Sequence, residues 1–89
     1  MAGFYITKTA TIELTQPQLV TLLEELRLWD EDKYVGEILI RDLREIQRRV
    51  IGLLEENRPF LGSQTQPLLR ILLCLLQNAA EMQKPVYWR

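Results

Sequence analysis

The sequence predicts a mainly α single domain: a three-helix bundle with one N-terminal β-strand, completed by dimerisation. Three observations predict it. Residues 4–14 alternate with a period of two. Residues 16–83 carry three stretches of helical apolar spacing. Within the last of these, Leu68–Leu76 is apolar at eight of nine positions. A helix that is apolar on every side has to be buried or gripped by a partner. A chain of 89 residues buries only about 60–65% of its unfolded surface, so part of that helix is expected to meet a second molecule.

The strand comes first, over 4–14. Phe4, Ile6, Ala10, Ile12 and Leu14 share one face, with Lys8 the exception, and Tyr5, Thr7, Thr9, Thr11 and Glu13 share the other. Alternation with frequent β-branched residues describes a half-buried strand. Thr15-Gln16-Pro17-Gln18 then has the form of a capping box, in which the Thr15 hydroxyl and the Gln18 amide each satisfy a backbone N–H. Proline in a first turn gives up an N–H that has no partner anyway. A helix over 16–29 follows, with Leu19, Leu22, Leu23 and Leu26 on its apolar side.

Trp29-Asp30-Glu31-Asp32-Lys33 is a polar break whose carboxylates suit the start of a helix. The second helix is expected over 34–56. Leu39, Leu43, Ile46, Val50 and Leu53 repeat at four, three, four and three, an a/d seam. Gly36 weakens its first turn. Asn57-Arg58-Pro59 ends it. Ser63-Gln64-Thr65-Gln66 repeats the capping arrangement ahead of a third helix over 64–83, and Pro85 stops that helix, leaving an aromatic tail over 84–89.

Composition narrows the function classes. Apolar residues make up 47% and charged residues 26%, with a net charge of −1, so overall charge does not draw the chain to nucleic acid or an acidic membrane. A single cysteine, Cys74, excludes an internal disulfide framework and fits a reducing compartment. Neither a secretory signal nor a membrane-length apolar run is visible, and the expectation is a cytoplasmic protein. There is no histidine, which removes the commonest general base and most transition-metal sites. Asp30, Glu31 and Asp32 do not fit a calcium loop, because the sixth position is Val35 and the twelfth Arg41. Glu24, Glu25 and Glu45 lie on polar helix faces without an apolar pocket. No catalytic, cofactor, metal or small-molecule set emerges. Cys74, with leucines around it, is expected to be an inert buried thiol.

Arg41, Arg44 and Arg48 line up at i, i+3 and i+7. Glu37–Arg41, Arg41–Glu45 and Glu45–Arg49 at i, i+4 make that row a solvated, ion-paired face. Tyr87 and Trp88 either anchor a recognition tail or fold back onto the N-terminal strand.

A strand at Thr9-Ala10-Thr11-Ile12-Glu13-Leu14 followed by helices over 16–28 and 34–49 resembles, in spacing, the ribbon-helix-helix DNA-binding proteins. The resemblance implies a strand paired with that of a second chain and set in the major groove, with Thr9, Thr11 and Glu13 towards the bases and Lys33 in the turn near phosphate. Residues 1–60 hold eight Lys/Arg against eleven Asp/Glu, an unfavourable balance where phosphate neutralisation dominates affinity. The stronger expectation is a protein–protein interaction module, a homodimer or a binder of another protein. It would act through Leu69, Leu72, Leu73, Leu76, Tyr87 and Trp88.

Overall fold

A computed structural model of the chain describes residues 2–31 and 34–89. Three helices and a four-stranded antiparallel sheet make up the described residues, so the fold is mixed α and β and not a three-helix bundle with one strand. In chain order the elements are β1 (Ala2–Tyr5), β2 (Thr11–Leu14), α1 (Gln16–Glu25), β3 (Gly36–Ile38), α2 (Leu43–Glu56), α3 (Thr65–Met82) and β4 (Val86–Trp88). Short 3-10 turns at Ile40–Asp42 and Gly62–Gln64 lead into α2 and α3. The strand order is β2-β1-β4-β3.

The expected single strand over 4–14 is a hairpin. Phe4 faces Ile12 and Tyr5 faces Thr11, and the Ile6 N–H donates to the Ala10 carbonyl at 2.9 Å. Three residues, Thr7-Lys8-Thr9, make the turn, held by the Ala10 N–H on the Thr7 hydroxyl at 3.2 Å. Because the register pairs even positions with even ones, one alternation runs unbroken through both strands. The strand that carries the ribbon-helix-helix resemblance is β2, which here pairs on one side with β1 of its own chain.

Residues 36–38 form a strand where a helix was expected. Gly36 pairs with Trp88, Glu37 with Tyr87 and Ile38 with Val86. Val35–Ile40 fits a period of two as well as it fits a helix, and the residues of 84–89 supply the neighbouring strand. That tail is therefore an interior strand, flanked by β1 through Phe4–Trp88 and Tyr5–Tyr87. Leu39 lies outside α2 and is exposed, so the a/d seam begins at Leu43.

The helices otherwise start and stop for reasons visible in the chain. The Thr15 capping box forms, with the Gln18 N–H on Thr15 Oγ1 at 3.2 Å and the Thr15 N–H on Gln18 Oε1 at 3.0 Å. α1 ends at Glu25, short of residue 29, because Arg27 turns left-handed and the Leu28 N–H folds back to the Leu23 carbonyl. The second capping box is replaced by a different device. Buried Thr65 donates to the Gly62 carbonyl and accepts from the Leu61 N–H, both at 2.8 Å. Gln66 instead reaches back to the Leu54 carbonyl and Asn57.

All three helices lie against one face of the sheet. Phe4, Ile12, Leu14, Ile38, Val86 and Trp88 meet Leu19, Leu22 and Leu23 of α1, Ile46 and Val50 of α2, and Leu69, Leu72 and Leu76 of α3 in one core. Polar ties close the helix layer. The Arg49 guanidinium donates to the Leu26 carbonyl at 2.6 Å. Arg58 bridges Glu25 and Glu56, and the hydrogen bonds it donates to Glu25, then to Glu56, raise an already high guanidinium pKa further.

Gly36 is fixed by Trp88. A Cβ there would sit inside the contact distance of the indole ring, and the indole N–H is buried without an acceptor among the described residues. The ring cannot shift freely inside a close-packed core. Gly36→Ala should therefore lower unfolding stability by about 1–3 kcal/mol, read from the denaturant midpoint. A midpoint equal to that of the parent would show that the indole does not lie over Gly36. Leu72→Ala, emptying space between α3 and the sheet, should lower stability by about 2–5 kcal/mol in the same measurement.

Candidate functional site

The apolar run on α3 is not a free surface. Leu69, Leu72 and Leu76 are each no more than 1% exposed within the single chain. They form one stripe, and the sheet with α1 and α2 encloses it. Leu73 is half-buried on the flank of that stripe. The far side of α3 shows Arg70, Ile71, Cys74 and Asn78 to solvent. Cys74 is thus exposed, not buried as its leucine neighbours suggested. Neighbours in sequence point 100° apart on a helix, so flanking leucines do not bury a residue on the opposite face.

Strand alternation divides the remaining two residues expected to bind a partner. Trp88 points inward and is 5% exposed. Tyr87 points to the outer face, where it is half-buried. Of the residues linked to nucleic acid, Thr9 is exposed at the hairpin turn. Thr11 is exposed on β2, its hydroxyl donating to the Phe4 carbonyl at 3.2 Å. Lys33 lies outside the described residues.

None of the described helices covers the outer face of the sheet, and its side chains converge. Tyr5 and Tyr87, paired across β1 and β4, stack with ring centroids 5.4 Å apart and planes 29° apart. The Arg89 guanidinium lies 5.0 Å from the Tyr5 centroid, a cation–π arrangement. Arg89 and Gly3 exchange both backbone hydrogen bonds, at 2.9 and 3.1 Å. Gly3 is buried, and a Cβ on it would overlap the Ile12 carbonyl, so no side chain stands at that position. The result is an open concavity of about 670 Å³ walled by Tyr5, Thr7, Lys8, Thr11, Glu13 and Arg89. On the other side of Tyr87, Glu37 is its neighbour on β3.

Electrostatically the face is mixed: Lys8 and Arg89 are matched by Glu13 and Glu37. Chemically it offers two aromatic surfaces, one oriented guanidinium, hydroxyls and carboxylates, which is equipment for binding. Among the described residues no cluster of three or more His, Cys, Asp or Glu side chains is placed to hold a metal ion. None of the described helices is long and apolar enough to cross a membrane. The sequence signal for this face is present in the polar half of the alternation, at Tyr5, and in the aromatic tail, at Tyr87. Only the pairing of β1 with β4 joins them.

The exposure of Cys74 has a direct readout. In the native protein, without denaturant, its thiol should react with an aromatic disulfide reagent at a rate within about tenfold of a free model thiol, since access and thiolate fraction set that rate. Reaction only after unfolding would show that the side chain is enclosed.

Set against protein-family models, curated proteins and solved structures, the chain finds no match in any of the three.

Proposed function

We propose that the chain is a protein-binding module without catalytic activity, holding its partner on the outer face of the sheet. The observation that supports this reading is the Tyr5–Tyr87 stack with Arg89 over Tyr5, on a face that none of the described helices covers. Tyrosine and arginine are enriched among the residues that carry interface energy. Here they are already ordered by stacking and by strand pairing, so little side-chain entropy remains to be lost on binding. The rim of Lys8, Thr11, Glu13 and Glu37 has the polar, mixed-charge character of an interface edge.

A single-stranded nucleic acid would also stack on the tyrosines, but it needs a positive groove along its backbone. Glu13 and Glu37 offset the two cations on this face, which favours a protein. Self-association by extending the sheet is disfavoured too. Both edge strands are short and each carries a glutamate, Glu13 on β2 and Glu37 on β3, a device that blunts edge pairing. The lone exposed thiol suits a reducing compartment, and we place the module in the cytoplasm on that ground.

The test compares the parent with a Tyr5→Ala/Tyr87→Ala variant in co-purification from the native cell, followed by affinity measurement with the recovered partner. Truncating two central aromatics should weaken binding by at least about 30-fold, the ratio matching about 2 kcal/mol at a hot spot. Circular dichroism of the variant should remain that of the parent. A partner retained at parental affinity by the folded variant would remove the sheet face from the interaction.

A further inference from the structure

We infer that the chain has a second, independent docking site: a groove between α2 and α3 that takes an acidic amphipathic helix of another protein. The helix pair packs antiparallel. Gln66 at the start of α3 meets Leu54 and Asn57 at the end of α2, and Ala80 and Gln83 at the end of α3 sit beside the start of α2. There, an open groove of about 510 Å³ is walled by Ile40, Arg41, Arg44, Gln47, Ala80 and Gln83, with Leu43 at its base.

Two features give the groove its chemistry. The first is charge. None of the residues lining it is acidic, and Arg41 and Arg44 make no ion pair among the described residues. Of the three pairs expected from a continuous helix, Glu45–Arg49 forms and the two that would engage Arg41 do not. Glu37 lies on β3, not one turn below Arg41, and Glu45 turns to Arg49 at 3.6 Å and Arg48 at 3.9 Å. The basic row is neutralised at its far end and left uncompensated at the groove.

The second feature is an apolar line along the same side. Ile40 is 48% exposed and Ile51 is 41% exposed. Arg44, Gln47 and Ile51 follow one another at i, i+3 and i+7, so Ile51 continues the groove wall one turn beyond Gln47. On α3, half-buried Leu73 lies two turns before Ala80 on the same stripe. The site is therefore about three turns long, apolar in its line and cationic at one end.

That combination selects the occupant. An amphipathic helix docks by setting its apolar side chains in such a line. Carboxylates on its flank can then take the bidentate geometry that guanidinium groups offer. A nucleic acid would engage the arginines but leave Ile40 and Ile51 against water. A basic helix would bring like charges together.

The experiment uses the intact chain and three probes, followed by fluorescence anisotropy. One is a synthetic helical peptide of about four turns with leucines at i, i+3, i+4 and i+7 and glutamates on its flank. The second carries lysine for glutamate, and the third is a single-stranded oligonucleotide of similar charge. The acidic peptide should bind most tightly and weaken as salt rises. Arg41→Glu/Arg44→Glu should weaken it by at least about tenfold, as for charge reversal at a complementary interface, and Ile40→Ser should weaken it as well. All these residues are exposed, so helicity should be retained. Tyr87→Ala should leave peptide binding unchanged, which separates this groove from the sheet face. The inference is overturned if the acidic peptide does not bind or the lysine peptide binds equally. It is also overturned if the oligonucleotide competes the acidic peptide away at lower concentration, if the charge-reversed variant binds as the parent does, or if sedimentation shows a second copy filling the groove.

Discussion

The insertion of β4 between β1 and β3 is the constraint on which the rest of the molecule depends. Without it there is a hairpin and an isolated three-residue strand, neither of which is stable alone in water. With it there is one sheet, and the sheet gives all three helices a common surface. Closing roughly eighty residues between Phe4 and Trp88 costs only about 2 kcal/mol more than closing a ten-residue loop, because the entropy grows as a logarithm. Burying one tryptophan from water contributes about 5 kcal/mol by area. The long-range pairing is therefore affordable, provided the indole finds its place. Gly36 supplies that place by having no side chain.

The same alternation that builds the core builds the candidate site. Trp88 and Tyr87 are neighbours in sequence, and the pleat sends one into the core and the other to the open face. Phe4 and Tyr5 divide in the same way on β1. The sheet thus stacks a buried aromatic pair, Phe4 with Trp88 at 6.4 Å, behind a half-buried one on the open face. The half-buried tyrosines inherit rigidity from the core beneath them, an arrangement that suits pre-organised recognition. The groove between α2 and α3 has a different origin. It arises where β3 replaces the first turns of a longer helix and takes Glu37 away from Arg41.

Much of the helical layer was legible in the chain. The stripes Leu19–Leu23, Leu43–Leu53 and Leu69–Leu76 are the buried ones, the capping box at Thr15 forms, and the stops at Asn57 and Pro85 hold. The sheet was less so, for three physical reasons. The turn at Thr7-Lys8-Thr9 lacks the glycine or asparagine that marks tight hairpins, and Lys8, the one misfit in the alternation, was its only trace. Strands of three residues carry too few side chains to separate a period of two from one of 3.6. The pairing of β4 with both β1 and β3 is a tertiary fact that no local pattern encodes. Part of the Leu68–Leu76 run reads as surplus for a partner in a helical bundle with one strand, because that bundle lacks the sheet area that covers it. The stack of Tyr5 on Tyr87 depends on the pairing of β4 with β1: in sequence Tyr87 stands out in the aromatic tail, and Tyr5 is one member of the polar half of an alternation.

The exchange of backbone hydrogen bonds between Gly3 and Arg89 makes the connectivity of this fold a ring closed without a covalent bond. Residues in such a pair have their Cα atoms about 5.5 Å apart. The start of β1 and the end of β4 thus meet at one end of the sheet. A unit of this kind can be seated within a loop of a host protein whose flanking residues stand only that far apart, and its breakpoint can be moved to another loop while the order of the strands is kept.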